Sequence, residues 1–154
     1  MFLTDDVFKS VISSTPLISI DLIVENENQQ ILVGYRNNRP AKGYWFVPGG
    51  RVQKGESLDL AFSRLTEVEL GFKQERTDAS FMGVYEHFYD DYAYGAEQST
   101  HYVVLGYKLR ANVDIFDLPK EQHNQYKWLN KDEILNQNDV HLHTKWYLDP
   151  NLKL

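Results

Sequence analysis

The chain contains no cysteine, which excludes disulfides, zinc–thiolate sites and thiol catalysis. It has no excess of positive charge. Sixteen Lys and Arg stand against 22 Asp and Glu, a net charge of −6, which argues against a nucleic-acid binder that needs a basic face. That deficit still allows a nucleotide, whose few phosphates need only a local cluster of cations. No run approaches the roughly 18 consecutive apolar residues of a membrane span. The N-terminus lacks a charged-then-apolar leader, so a soluble, cytoplasmic protein is expected. Internal repeats, low-complexity runs and linkers are missing as well. Aromatic residues are abundant: 10 Tyr, 8 Phe and 3 Trp among 154 residues. That length suffices to bury a real core, and a single domain over 1–154 is expected.

The most informative stretch is 45–72. Trp45-Phe46-Val47-Pro48 reads as a strand running into Gly49-Gly50, followed by the polar loop Arg51-Val52-Gln53-Lys54-Gly55-Glu56. A helical pattern then covers 58–72 and stops at Gly71. Wound at about 100° per residue, Leu58, Ala61, Phe62, Leu65 and Phe72 share one face, and Glu69 falls in its middle. An unpaired carboxylate on a core-facing stripe costs several kcal/mol, so Glu69 requires a cation or strong donors. Arg64 is turned toward one edge of that face. A buried carboxylate beside a glycine turn, where backbone groups approach a ligand closely, suggests a bound metal.

Elsewhere the pattern is plainer. Residues 1–14 form a short amphipathic helix, capped by Thr4 or Asp5, with Val7, Phe8, Val11 and Ile12 on one face and Pro16 ending it. Phe2 and Leu3 precede the cap as a hydrophobic staple. Residues 17–25 and 31–36 are strands, the first apolar on both faces and so belonging in a sheet covered on both sides. Asp21, in its middle, either faces a site or pairs with a structural cation. Arg36, Arg39 and Arg51 flank the central strand and form the best candidate anion pocket, because guanidinium forks bind phosphate oxygens in pairs; Lys42 and Lys54 read as solvated. Residues 80–89 and 100–110 are strands carrying His87 and Tyr102, each of which on its own reads as packing. The loop 90–99 is a lid or a dimer contact. Residues 120–125 form a polar loop ahead of a strand at 126–129, and a helix starts at 130. His141 and His143 have the spacing of a strand metal pair but no nearby acids, so a structural role is expected.

Gly50, Glu56, Arg64, Glu69, Gly71 and Phe72 follow the Nudix box, and the chain resembles the Nudix hydrolases. Two box glutamates are absent, replaced by Leu65 and Val68. That alteration, the stretch 38–54 and Glu121-Gln122-His123 resemble one branch in particular, the GDP-mannose mannosyl hydrolases. The resemblance implies an α/β fold, a mixed sheet sandwiched between helices. It implies Mg²⁺, with Mn²⁺ as a substitute, held by the Gly49 carbonyl, Glu69 and Gln122. It implies Arg36, Arg51 and Tyr102 on the diphosphate, Asp21 and His87 on the sugar, and Phe2, Leu3 and Phe8 at the base, near a homodimer contact. His123, next to Gln122, is the expected catalytic base, and Arg36, Arg51 and Asp21 the residues assisting it. The implied reaction is hydrolysis of GDP-mannose, and of GDP-glucose as a second substrate, by water attack at the anomeric carbon with inversion. The rivals are a Nudix pyrophosphatase cleaving P–O–P and a non-catalytic nucleotide-sugar binding module.

Overall fold

The computed structural model describes residues 2–120 and 123–152. Among these residues four α-helices and seven strands occur: α1 (Asp5–Ser14), β1 (Leu17–Glu25), β2 (Ile31–Arg36), β3 (Trp45–Phe46), β4 (Gly49–Arg51), α2 (Leu58–Leu70), β5 (Ser80–Tyr89), β6 (Thr100–Arg110), β7 (His123–Leu129), α3 (Lys131–Asn136) and α4 (Leu142–Lys145). The strands form one mixed sheet in the order β3-β2-β1-β6-β5, with β4 pairing β1 and β7 pairing β2. β1 and β6 run parallel at its centre; the other pairs are antiparallel.

Alternation along β1 divides the core. Ile20, Leu22 and Val24 pack with Ala61, Phe62, Leu65 and Leu70 of α2 on one face. Ile23 packs with Ile134, Val140, Trp146 and Tyr147 from the C-terminal segment on the other. Period two in a strand thus places Ser19 and Asp21 on the side of the C-terminal segment. Thr4 caps α1, accepting from the Val7 amide at 3.4 Å. Ser57 caps α2, and Gly71 closes it in the left-handed conformation at φ 85°. The expected strand at 45–48 is shorter, ending at Phe46, and the glycines that follow open a strand of their own, β4, which pairs with the middle of β1, Gly49 opposite Asp21.

Two expectations are corrected. The polar loop 120–125 is shorter than its composition suggests, because β7 already begins at His123, which pairs with Arg36 beyond an irregularity in β2. Gly34 makes room for it: a Cβ there would lie 2.6 Å from the His123 ring. His141 and His143 are not on a strand. His141 caps the short helix α4, its Nδ1 accepting from the His143 amide at 3.1 Å. The loop 90–99 clamps α1: Tyr94 donates to Asp5 at 3.1 Å and packs edge-on against Phe8.

Candidate functional site

The glycine turn, β1, β2 and β5 enclose a cavity of about 310 Å³ whose lining includes Phe8, Asp21, Arg36, Gly49, Arg51, His87, Tyr102 and His123. Eight sequence-predicted residues, drawn from positions 8 to 123, therefore meet in one place. The structure also adds residues that sequence reasoning missed. Phe46 and Tyr89 complete the wall. Tyr147 lies behind it, donating to Asp21 Oδ2 at 2.5 Å. Their contact spans 126 positions of sequence, and no local pattern signals it.

The lining holds two kinds of group. The first is cationic: Arg36 is anchored through Nε to the Pro40 carbonyl at 2.9 Å, and the Arg51 guanidinium lies 5.1 Å from the centre of the Phe8 ring. Among the described residues both leave terminal guanidinium nitrogens for an anion. Arg39 does not join them. It pairs with Asp91 at 3.4 Å and lines a neighbouring cleft of about 590 Å³ with Lys42 and Tyr44. The second group is Asp21 and His87. Burial pushes the Asp21 carboxyl up to about 7, while the Tyr147 hydrogen bond and the Arg36 charge pull against that rise. His87 is stacked on His143 at 4.2 Å, and His143 lies 4.5 Å from His141. Burial, then the His141 charge, depresses His143 to about 3, so the ring is neutral. Tyr102 is held above its ordinary value by burial. Phe2, 97% exposed, and Leu3 lie outside the lining.

Glu69 is buried at 2% exposure on the face where Ala61, Phe62 and Leu65 pack. Its Oε2 lies 3.8 Å from His123 Nδ1. Burial, then Arg36, pushes His123 down to about 4, leaving a neutral imidazole. Arg64 is engaged elsewhere: it forks onto Glu56 at 2.7 and 2.8 Å and donates to the Arg51 carbonyl at 2.9 Å, bracing the loop between the glycine turn and α2. Leu65 takes the place a box glutamate would hold and fills the space left by Gly50, whose added Cβ would sit 2.5 Å from its side chain. Val68 faces outward, 38% exposed. The oxygen donors that remain, the Gly49 carbonyl and the Glu69 carboxylate, suit a hard divalent cation. Gln122, the third expected ligand, lies outside the described residues. Among the described residues no group of three or more His, Cys, Asp or Glu side chains is placed to hold a metal ion, and no helix is long and apolar enough to cross a membrane.

Residues 15–149 match the model of the NUDIX domain. The chain is 37% identical over 123 residues to the low-salt glycan biosynthesis protein Agl8 of Haloferax volcanii, covering 80% of this chain and 76% of that one. It is 36% identical over 70 residues to an ADP-ribose pyrophosphatase of Methanocaldococcus jannaschii, covering 46% of this chain and 40% of that one. Among solved structures, the MutT protein of Methanosarcina mazei superposes with a TM-score of 0.72 at 20% identity, over 89% of this chain and 94% of that one. The NUDIX domain of Shewanella oneidensis NrtR, complexed with ADP ribose, gives 0.63 at 17% identity, over 97% and 99%. These two likenesses show the fold, a mixed sheet between helices. The extent of the domain match and the identity to Agl8 show that the chain belongs to the NUDIX domain family.

Proposed function

We propose that this Nudix protein hydrolyses GDP-mannose, and GDP-glucose as a second substrate, to GDP and the free sugar, working in the cytoplasm as a homodimer. The observation that carries this reading is the composition of α2's site-facing side. One carboxylate, Glu69, is buried there, and Leu65 occupies the position where a second would gather further metal. Attack on phosphorus in a diphosphate is commonly driven by several metals and a carboxylate base. Attack at an anomeric carbon needs less, because the departing diphosphate takes the charge. The similarity to a glycan biosynthesis protein agrees with a sugar substrate.

In this reading Gly49, Glu69 and Gln122 hold Mg²⁺, which supplies Lewis-acid stabilisation of the leaving diphosphate. Arg36 and Arg51 bind the same diphosphate and stabilise its growing charge, with the Tyr102 phenol donating to it. Asp21 and His87 receive sugar hydroxyls. Phe8 lies toward the base, with Phe2 and Leu3 beyond it. His123 is the base that takes a proton from water, since it is neutral and lines the cavity. Glu69, 3.8 Å away, offsets the imidazolium charge that this step creates. Displacement by water from the face opposite GDP inverts the anomeric centre and yields β-mannose.

The second reading is a pyrophosphatase, favoured by the local similarity to an ADP-ribose pyrophosphatase. Turnover of GDP-mannose with magnesium in ¹⁸O-labelled water separates the two. Unlabelled GDP and labelled mannose, first seen as the β-anomer, are expected. GMP and mannose 1-phosphate, with label on phosphorus, would establish the pyrophosphatase. Tight binding of the nucleotide sugar without turnover would make the protein a binding module.

A further inference from the structure

Asp21 is gripped from behind by a residue with no direct part in the chemistry above. Tyr147 Oη donates to Asp21 Oδ2 at 2.5 Å, and both residues are buried. The other carboxylate oxygen, Oδ1, points to the glycine turn that lines the cavity: a Cβ added at Gly49 would lie 2.6 Å from it. One oxygen is therefore committed to the tyrosine while the other lies at the cavity wall.

The surroundings are shaped to hold the phenol there. β6 presents Gly106 opposite Asp21 in the parallel register. A Cβ at Gly106 would sit 3.0 Å from Tyr147 Cε1 and 3.2 Å from Tyr85 Cε2, closer than such contacts normally come. The missing side chain lets the Tyr147 ring lie against the strand, and Tyr85 packs edge-on against it with ring centres 4.6 Å apart. The segment carrying Tyr147 is itself fastened to the strand that leads into the glycine turn. The Trp45 amide donates to the Asp139 carbonyl at 2.7 Å, the His141 amide to the Trp45 carbonyl at 3.0 Å, and the Val47 amide to Thr144 Oγ1 at 3.3 Å. His143, four residues before Tyr147, stacks on His87 of the same cavity wall.

We propose that Tyr147 is a positioning residue for sugar recognition: its hydroxyl fixes the Asp21 carboxylate so that Oδ1 meets a sugar hydroxyl. The C-terminal segment thereby belongs to the sugar-selecting part of the site, although it touches the ligand only through Asp21 and His87. The inference rests on the reading that Asp21 faces the sugar.

Tyr147→Phe removes one oxygen and keeps the ring. Titration calorimetry with GDP-mannose and with GDP, on the full chain with magnesium, needs no turnover and reads the sugar's share of binding as a ratio. That ratio should fall about tenfold in Tyr147→Phe, the size of one lost charge-assisted hydrogen bond, with GDP affinity unchanged. Gly106→Ala, which displaces the ring while leaving its hydroxyl, should lower the ratio in the same sense. In an Asp21→Asn background Tyr147→Phe should have no further effect, because a residue acting through Asp21 has nothing left to position. A purely structural role would lower the melting temperature and leave the ratio alone. If Asp21→Asn lowers the ratio and Tyr147→Phe does not, or if the two effects multiply, the inference is overturned and the reading of Asp21 survives. If Asp21→Asn itself leaves the ratio unchanged, the reading of Asp21 falls and takes the inference with it.

Discussion

Two groups of cavity residues are built in opposite ways. The arginine group comes from one continuous stretch: Arg36, the glycine turn and Arg51 lie within sixteen residues, and Arg64 and Glu56 brace the loop that follows. The Asp21–His87 group is assembled from Asp21 in β1, His87 in β5, and His143 and Tyr147 near the C-terminus. Its residues touch only because the sheet register and the C-terminal segment bring them together. A local motif can hold a diphosphate by charge alone. In the proposed reading the second group recognises a sugar, which needs hydrogen-bonding groups fixed at defined positions, and here that rigidity comes from long-range packing.

The largest effect expected belongs to His123, which lines the cavity beside Arg36. His123→Gln should lower kcat by about 10²–10⁴-fold, the usual worth of a general base, while GDP affinity stays near that of the unaltered protein. Steady-state kinetics with GDP as competitive inhibitor reads both. Loss of GDP affinity in parallel with kcat would instead make His123 act with the arginine group in binding.

Next come the two groups themselves. Arg36→Ala and Arg51→Ala should each lower kcat/KM by about 10²–10³-fold and weaken GDP and GDP-mannose alike. His87→Asn should lower turnover of GDP-mannose by only about tenfold, one lost hydrogen bond, with GDP affinity kept. An arginine variant that altered the preference between GDP-mannose and GDP-glucose would break the division of labour.

That contrast also explains what the sequence disclosed. The helix α2 and its buried Glu69 follow from period 3.6 and one misplaced charge, and α2 closes at Gly71 as its pattern requires. β1 and β2 carry the expected bounds because their apolar runs are closed by turn residues. Tyr147 was illegible: it lies in a tail with no periodicity, and its partner is 126 residues away. The start of β7 was misjudged because strand pairing, with the space at Gly34, overrides the loop-like composition around His123. Arg39 was grouped with Arg36 by proximity in sequence, but Asp91 draws it to the neighbouring cleft.

The histidine stack predicts a difference in acid sensitivity. His143 is buried and neutral, with its pKa moved from an ordinary 6.5 down to about 3. The unfolded chain takes the proton first, so stability declines as the pH falls below about 6.5 and levels off only near pH 3. One such group gives a slope of about 1.4 kcal/mol per pH unit. His143→Phe retains a ring against His87 and removes the titration. His143 Nδ1 has no hydrogen-bond partner among the described residues, so no hydrogen bond at that atom is lost with it. Urea denaturation at several pH values should show a shallower decline for the variant between pH 6.5 and 4. Parallel curves would mean that His143 is not the source of acid sensitivity.

The smallest effect belongs to the brace at the arginine group, and its sign is opposite in origin. Glu56 is held below its ordinary 4.5, chiefly by the hydrogen bonds from Arg64, with the Gln53 amide adding to them. A depressed carboxyl contributes stability that is present above pH 4.5 and lost as the pH falls through its lowered folded value. Both side chains are partly exposed, so Glu56→Gln should cost about 1 kcal/mol at pH 7, and the gap to the unaltered protein should close below pH 4.5. The Arg64 fork would then let go of one partner and keep the Arg51 carbonyl at 2.9 Å, so GDP affinity should change far less than in Arg51→Ala. A large loss of GDP affinity in Glu56→Gln would mean that the loop's position, rather than the Arg51 charge, limits binding at the arginine group.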